Sequence, residues 1–539
     1  MSSTTSDTTP ASGRFDRRRL VLPAMILTVS MSFIDQTIVA IASPTLQRDL
    51  HLTATQGQWA VNAYTVALAA MFALSGKLSD TLGRRRMALV GVIGFAICSA
   101  LCGATPDGAH AETWLIAARA AQGAFAALLM PAAITTVYTT ATAERRGRSM
   151  AAFFGIAGAF TAIGPVVGSY LLNWSWRAIF WVNIPVAIAA VALILLADIP
   201  PNRLRQRIDW LGAVLIAAAM GSSVIGFTQS ATWGWDSVAT WACLVAGVVL
   251  MVAFVLVERA IENPLVDLRI FTSRGFRVDT GVLFFAMAAF VPVSYFLSMY
   301  ASISLGEGAS GANVLLLTFF GGYLIAAQLG GRIFDARGAK PTILLGCAVA
   351  AAGLVWWSTL VTSLDNDWSH RIAIAVAGAG IGLLMGPSSA DAVSRAGRSS
   401  YGEVTGVNQT VRNYGAALSF AIFGTILTHV FTSRFTDSLV GLGVPRSKAA
   451  DLAANSAAGS AGGDSAIPAA MRTAVEHAVA HDFAVGMQAV LWAMAGALAI
   501  AFVIALRHPG DRPATALPPE ESPTVDRTGD CQAEPALGS

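Results

Sequence analysis

The sequence predicts an all-α integral membrane protein of fourteen transmembrane helices, arranged as two six-helix bundles plus two inserted helices. Three observations predict it. Charged residues make up only 12% of 539, apolar residues 55%, and mean hydropathy is +0.61, far from the roughly 25% charged residues of soluble domains. The apolar residues fall in blocks of about 20, enough at 1.5 Å per residue to cross ~30 Å of hydrocarbon. These blocks are too long and too uniformly apolar for barrel strands, and lipid forces backbone polar groups to pair within each segment, so they read as helices.

The elements follow in order. Residues 1–20 are polar, end in an arginine cluster and read as a cytoplasmic tail. A full-length span follows directly, unlike the short apolar region and cleavage site of a signal peptide, so the first span is expected to be retained. Expected spans at 21–43, 57–78, 87–105, 113–137, 148–172 and 178–198 form an N-terminal bundle, 21–200. Spans at 210–228 and 240–258 form an insertion, 201–260. Spans at 276–304, 310–334, 341–361, 370–390, 405–432 and 485–506 form a C-terminal bundle, 261–509. Segment 433–484 is expected to be one long extracellular loop with a short amphipathic helix near its end, and the Pro-, Glu- and Asp-rich tail 510–539 is expected to be disordered.

An even number of spans puts both termini on one side. Loops on that side carry 26 of the 35 lysines and arginines, so the positive-inside rule makes both ends cytoplasmic and the protein a multi-pass component of the cell inner membrane. A net charge of +3, scattered among loops, gives no reason to expect nucleic acid as a partner. The expected partners are the lipid bilayer and a small-molecule substrate, and the chain is expected to be a monomer. Four cysteines, Cys98, Cys102, Cys243 and Cys347, lie in spans and one, Cys531, in the tail. Two thiols on one helix face without further ligands are packing residues, so neither a metal nor a disulfide framework is expected. No Gly-x-x-x-x-Gly-Lys-Ser/Thr loop is present to bind ATP, and no paired carboxylates or nucleophile arrangement supports an enzyme.

An internal repeat supports the two-bundle reading. Gly76-Lys77-Leu78-Ser79-Asp80-Thr81-Leu82-Gly83-Arg84-Arg85 aligns without a gap on Gly331-Arg332-Ile333-Phe334-Asp335-Ala336-Arg337-Gly338-Ala339-Lys340, matching Gly, Asp, Gly and a final cation. Related halves of this kind belong to transporters that rock about a site between them. Gly76 can let two helices approach closely, Gly83 can permit a tight turn, and Asp80 can cap a neighbouring helix or pair with arginines. A simpler reading is that the arginines only fix topology. The second copy favours a gate formed by Gly76, Asp80, Gly83, Arg84, Arg85, Asp335 and Arg337.

A carboxylate in the middle of a span costs ~2.5–3.5 kcal/mol on insertion scales, so one that persists normally faces a cavity and carries function. Asp35 is such a residue. It lies about eight residues from the outer end of its span and Arg119 about six from the outer end of the fourth, roughly 12 Å and 9 Å at helical rise, so the two share a depth. A moving helix could switch Asp35 between holding and losing a proton, and a cationic substrate could compete for it. The alternative is a static buried pair that fixes packing. One proton moving down ~150 mV supplies about 3.5 kcal/mol. Arg412, with Asn408 and Gln409 in the thirteenth span, either serves structure or lines the cavity. Asp279 is expected to be close enough to the cytoplasm to be solvated.

The Gly76–Arg85 segment resembles the loop motif of the major facilitator superfamily, Gly-x-x-x-Asp-x-x-Gly-Arg-Arg, with Thr81 where the family often has a cation. FIDQTIVAIASP (33–44), RAAQGAFAA (119–127), GIAGAFTAIGPVVGS (155–169), WRAIFWVNIPV (176–186), NPLVDLRIF (263–271) and GVNQTVRNYGAALS (406–419) are similar, in order and at matching spans, to segments of its fourteen-helix drug:proton antiporter family. Ala40 and Ser169 stand where that family has Asn and Gly. The resemblance implies a cytoplasmic latch that stabilises the outward-facing state, and proton coupling and substrate contact at Asp35, Gln36, Arg119 and Gln122. It also implies cavity-mouth positions at Trp59 and Tyr64, and an antiporter motif at Gly155, Gly164, Pro165 and Gly168 that gives export direction. From the residues alone, those glycines and Pro165 need only serve helix packing. Protons as coupling ion, with no other cofactor, complete the expectation: proton-coupled efflux of amphipathic small molecules such as drugs or antibiotics. The alternative is a proton-coupled permease, for uptake or export, of a specific metabolite.

Overall fold

A computed structural model describes residues 17–510, apart from breaks at 53, 109, 173, 202–207, 263, 366, 396–400 and 458–471. The tail 511–539 and residues 1–16 lie outside the described residues. The helices, in chain order, are α1 (Val21–Asp49), α2 (Ala54–Leu82), α3 (Arg84–Gly103), α4 (Ala111–Thr140), α5 (Arg146–Leu172) and α6 (Ala178–Leu196). Then come α7 (Trp210–Trp233), α8 (Val238–Ala260), α9 (Arg274–Ile303), α10 (Gly308–Arg337), α11 (Ala339–Leu360), α12 (Trp368–Ser394), α13 (Tyr401–Gly441) and α14 (Arg472–Leu506). Among the described residues, thirteen helices are long and apolar enough to cross a membrane. The helix in the fifth expected place, α5, has 27 residues, some with side chains outside those described.

Local chemistry sets many helix ends. Asp209, Ser237, Ser273 and Asp367 each accept a backbone N–H in the first turn of α7, α8, α9 and α12, which satisfies donors with no partner inside the helix. Gly83 and Gly338 sit at φ +99° and +89° between α2 and α3 and between α10 and α11. A side chain at either would be strained, so the chain reverses there on glycine in both copies of the repeat.

In the first half, α4 packs against α2 and α3, and α5 lies along α1. In the second, α12 packs against α10 and α11, and α9 against α13 and α14. The positions correspond one to one under the repeat. Each half has its own apolar core, the first around Phe72, Phe95, Leu129 and Phe153, the second around Phe296, Phe319, Leu384 and Leu491. The inserted α7 and α8 pair with each other, and α7 rests on α2 and α13, outside both bundles. On α8, Val238, Val245, Val248, Val252 and Leu256 remain exposed, as a lipid-facing helix requires.

The halves join along two seams, α2 with α13 and α5 with α10 and α12. Toward one end of these seams the backbones approach closely at Gly76 to Gly402, Gly406 to Phe72, and Gly331 and Gly386 to the α5 segment 147–151. All lie toward the end that carries the arginine-rich loops. The molecule is therefore closed at that end.

One expectation needs correction. Among its described residues, segment 433–484 is largely helical: α13 runs to Gly441, a short helix covers Arg446–Ala457, and α14 starts at Arg472, where a short helix was expected. Leu439, Ala449, Ala453 and Val475 are buried with the second core, and Phe431 stacks on Phe435, 5.5 Å between centroids, and packs edge-on to Phe483. Apolar packing beyond the expected span end carries both helices onward. The Ala-, Ser- and Gly-rich composition that suggested a loop is also compatible with helix, alanine being the strongest helix former.

Candidate functional site

The α1, α2 and α4 helices bring Asp35, Ser32, Tyr64, Arg119 and Gln122 into one buried polar cluster. Asp35 is fully buried and Arg119 is 1% exposed. Arg119 Nη1 donates to Asp35 Oδ2 at 2.5 Å and to Gln122 Oε1 at 2.7 Å, and Gln122 Nε2 donates to Asp35 Oδ1 at 2.9 Å. Arg119 and Gln122 are three residues apart, so one helical face presents both to the carboxylate. Arg119 Nε donates to the Ala60 carbonyl at 3.1 Å, and the guanidinium lies 4.5 Å over the Tyr64 ring. The Tyr64 hydroxyl meets Ser32 Oγ at 2.6 Å, and Gln36 Nε2 donates to the same Ser32 oxygen at 3.5 Å. Both carboxylate oxygens and the guanidinium are thus satisfied inside the membrane, as the cost of burying charge requires.

Most expected members of this cluster come together, but Tyr64 and Trp59 differ from one another. Tyr64 is 1% exposed and forms the floor of the ion pair. Trp59, one turn nearer the outer end, is half-buried. Ser32 and Ala60 escaped the sequence reading; a serine one turn before Asp35 was the available signal for the first. Cys102 lies against the cluster, its Sγ 3.7 Å from Gln122 Oε1.

The repeated loops form a second, symmetric arrangement. Asp80 Oδ2 accepts the backbone N–H of Glu403 at 3.0 Å, in the first turn of α13. Asp335 Oδ1 and Oδ2 accept the N–H groups of Gly147 at 2.8 Å and Arg148 at 3.2 Å, in the first turn of α5. Each aspartate therefore caps the fifth helix of the opposite half, where the positive end of the helix dipole favours a carboxylate. A Cβ on Gly76 would strike the Gly402 carbonyl, and one on Gly147 would strike Phe334 and Asp335, so glycine permits both approaches.

Arg84 is buried, 4.0 Å from Asp80 Oδ1, and donates to Thr139 Oγ1 at 2.8 Å. Arg85 is exposed and donates to the Leu195 carbonyl at 2.9 Å; Arg337 is exposed at the end of α10. Lys77 and Glu403 were not singled out from sequence. Lys77 Nζ lies 3.8 Å from Glu403 Oε2 and donates to the Pro264 carbonyl at 3.1 Å, while Glu403 Oε1 accepts the Asp267 N–H. This ties the α2–α13 seam to the linker after the insertion.

On α5, a Cβ at Gly155 would sit 3.0 Å from Ala327, one at Gly164 against Thr37 and one at Gly168 against Ile38. Gly164 and Gly168 let α5 lie against α1, and Gly155 lets it lie against α10. Pro165 lies on α5, with its side chain outside those described.

Asp279 contradicts its expected solvation. It is fully buried, as are Asp391 and His508. His508 Nε2 reaches Asp391 Oδ2 at 3.0 Å and Asp279 Oδ1 at 3.5 Å, and Arg395 Nε reaches Asp391 Oδ2 at 2.5 Å. Burial alone would lower the His508 pKa, but hydrogen bonds and charge from Asp279 and Asp391 prevail and push it up to about 9. The end of α14 folds over Asp279 and takes it out of water.

The Major Facilitator Superfamily model matches residues 25–420. The chain belongs to the major facilitator superfamily. It is 31% identical over 441 residues to the tetracenomycin C resistance and export protein of Streptomyces glaucescens, covering 81% of each chain. It is 28% identical to multidrug resistance protein 3 of Bacillus subtilis, covering 79% of this chain and 82% of that one. Among solved structures, the proton:xylose symporter XylE superposes with a TM-score of 0.55 at 13% identity, covering 93% of this chain and 98% of that chain, a likeness of fold alone. In this superfamily member, the insertion of α7 and α8 adds two helices to the two six-helix halves, and the Asp80 and Asp335 loops are the two copies of one repeated element.

Proposed function

We propose that this protein exports amphipathic small molecules, drugs or antibiotics among them, across the cell inner membrane in exchange for protons, with both termini cytoplasmic. The observation that carries the reading is the Asp35 carboxylate, fully buried in the first span with both oxygens held by Arg119 and Gln122, in a chain whose relatives bear the names of export and resistance proteins. An intramembrane ionisable group is expensive to keep and by default functional.

Asp35 is the proton carrier and Arg119 its modulator. In the closed arrangement the carboxylate and guanidinium neutralise each other. A proton on Asp35 removes the negative charge that the cargo competes for, and Arg119 and Gln122 regroup around Tyr64 and Ser32. Because proton and cargo draw on the same side chains, binding of one disfavours the other, and the effect is reciprocal. The capped loops supply the second requirement. Asp80 and Asp335 hold the arginine-rich end shut while the site faces outward, and release when the halves rock. The protein works as a monomer, since each half supplies what the other needs.

The test is efflux from proteoliposomes of purified protein, with an imposed proton gradient and a panel of amphipathic compounds. Export driven by protons entering predicts cargo movement opposite to the proton gradient, abolished by a protonophore. Cargo moving with the protons would replace this reading by uptake.

A further inference from the structure

Arg412 is a buried cation that the mechanism does not use. It stands eleven residues into α13, about 16 Å along the helix, and is 4% exposed. Its Nη1 donates weakly to Ser389 Oγ at 3.4 Å, its Nη2 faces the sulfurs of Met287 at 3.5 Å and Met385 at 3.7 Å, and its Nε has no hydrogen-bond partner. The Phe154 ring lies 5.0 Å away, contributed by α5 of the other half. Among the described residues, no carboxylate pairs with it. The contrast with the other buried arginines is clear, because Arg119 pairs with Asp35, Arg84 with Asp80, and Arg395 with Asp391.

The neighbouring polar groups share this condition. Asn408 Oδ1, one helical turn before Arg412, and Ser388 Oγ, beside Ser389, are buried without hydrogen-bond partners. An uncompensated cation inside a membrane protein costs several kcal/mol, and such a group persists where it serves a ligand or pathway. Thioethers and an aromatic face are poor hydrogen-bond acceptors, so they leave the donors of the guanidinium available. They are also polarizable and adaptable, and suited to an aromatic or aliphatic body beside a charged group. A planar guanidinium matches an oxyanion in a two-pronged hydrogen bond.

We infer that Arg412 is the anchor for an anionic group, a carboxylate or ionised phenol, on the amphipathic molecules this protein carries. The inference rests on the transport reading above for the cargo, but its test uses binding alone. The position of Arg412 between α9, α12 and α5 puts the anchor at the seam of the halves, so its environment changes when they separate. Asp35, in the other half, then handles the proton while Arg412 handles the anion.

The experiment measures equilibrium binding of 7-methoxycoumarin-3-carboxylate and of its neutral methyl ester to the full-length protein in lipid nanodiscs, with empty nanodiscs subtracted and no ion gradient. Wild type should bind the carboxylate roughly ten- to a hundredfold more tightly than the ester, the scale of one charge-assisted hydrogen bond. Arg412→Gln should remove that preference and leave ester binding unchanged, and Arg412→Lys should restore part of it. Its melting temperature should hold or rise in Arg412→Gln, since a buried cation without a counter-ion is removed. Equal affinity of wild type for acid and ester would overturn the inference. So would an Arg412→Gln protein that melts much lower and is rescued by Arg412→Lys with no discrimination between probes, the signature of a structural role. Replacing chloride by gluconate separates a small inorganic anion from the cargo: if chloride alone protects the wild type and the carboxylate never exceeds the ester, the anchor is not for cargo and the inference fails. Carboxylate binding without any transport would instead sink the export reading and leave the anchor standing.

Discussion

Replacing Asp80 and Asp335 by alanine removes the two side chains that cap a helix across the seam between the halves. Each aspartate satisfies N–H groups in the first turn of α13 or α5. Loss of such a cap costs about 1 kcal/mol, and loss of a carboxylate at a helix N-terminus adds up to ~1 kcal/mol where the site is partly buried. The Arg148–Asp335 contact adds little, because Arg148 is 56% exposed at 3.5 Å. Each substitution is therefore worth about 1–2 kcal/mol of closure, a factor of roughly 5–30 in the closed-to-open ratio. The two sites lie on separate seams and should add, to about 2–4 kcal/mol, or ~30–1000-fold. The assay is the distance distribution between spin labels at Leu82 and Arg332, both exposed and on opposite halves. The double variant should shift the population to a longer distance, and each single variant should shift it part of the way. An unchanged distribution in the double variant would refute the argument that these caps hold the arginine-rich end shut.

Three further outcomes follow from the geometry. Asp35→Asn should abolish proton-driven efflux in proteoliposomes while the protein still inserts, and should lower stability by about 3–5 kcal/mol because Arg119 is left buried without its counter-ion; efflux at the wild-type rate would remove Asp35 from the mechanism. His508 carries a folded-state pKa raised to about 9, against ~6.5 unfolded, so its stabilising effect is fully present below about pH 6.5 and lost as pH rises through about 9. His508→Gln should flatten the fall in melting temperature between pH 7 and pH 10, whereas an unaltered fall would mean that Asp279, Asp391 and Arg395 hold the end of α14 without the histidine proton. Gly76→Val would drive a branched side chain into the Gly402 carbonyl; thiol labelling of a cysteine placed at Thr81 should rise several-fold, and unaltered labelling would show that the seam tolerates the bulk.

The two-bundle architecture was legible because lipid imposes it: each apolar block had to be a helix, and the repeat at Gly76 and Gly331 declared two halves. Asp35 and Arg119 were legible for the same reason, since charge inside an apolar block is conspicuous, and equal depth suggested that they meet. What escaped reading depends on contacts between residues distant in sequence. Glu403 and Lys77 lie in charge-rich loop ends where many polar residues are simply solvated, and only the approach of α2 to α13 buries them together. Asp279 stood near a span end, where water is the ordinary expectation, until His508 and Arg395 closed over it. The extension of α13 past Thr432 and the helix Arg446–Ala457 were hidden because alanine-rich sequence suits a helix or a loop until packing decides between them. The isolation of Arg412 was likewise invisible, because a sequence shows a cation and not the lack of a partner.

The central claim, that Asp35 trades a proton for cargo, is tested most directly by the protons released when a transported compound binds. Purified protein in weakly buffered detergent, mixed with saturating compound in the presence of a pH indicator, should release up to one proton per bound molecule, and the Asp35→Asn variant should release none while binding still occurs. Proton release of the same size from Asp35→Asn, or binding to wild type with no release at any pH from 5 to 9, would contradict the account.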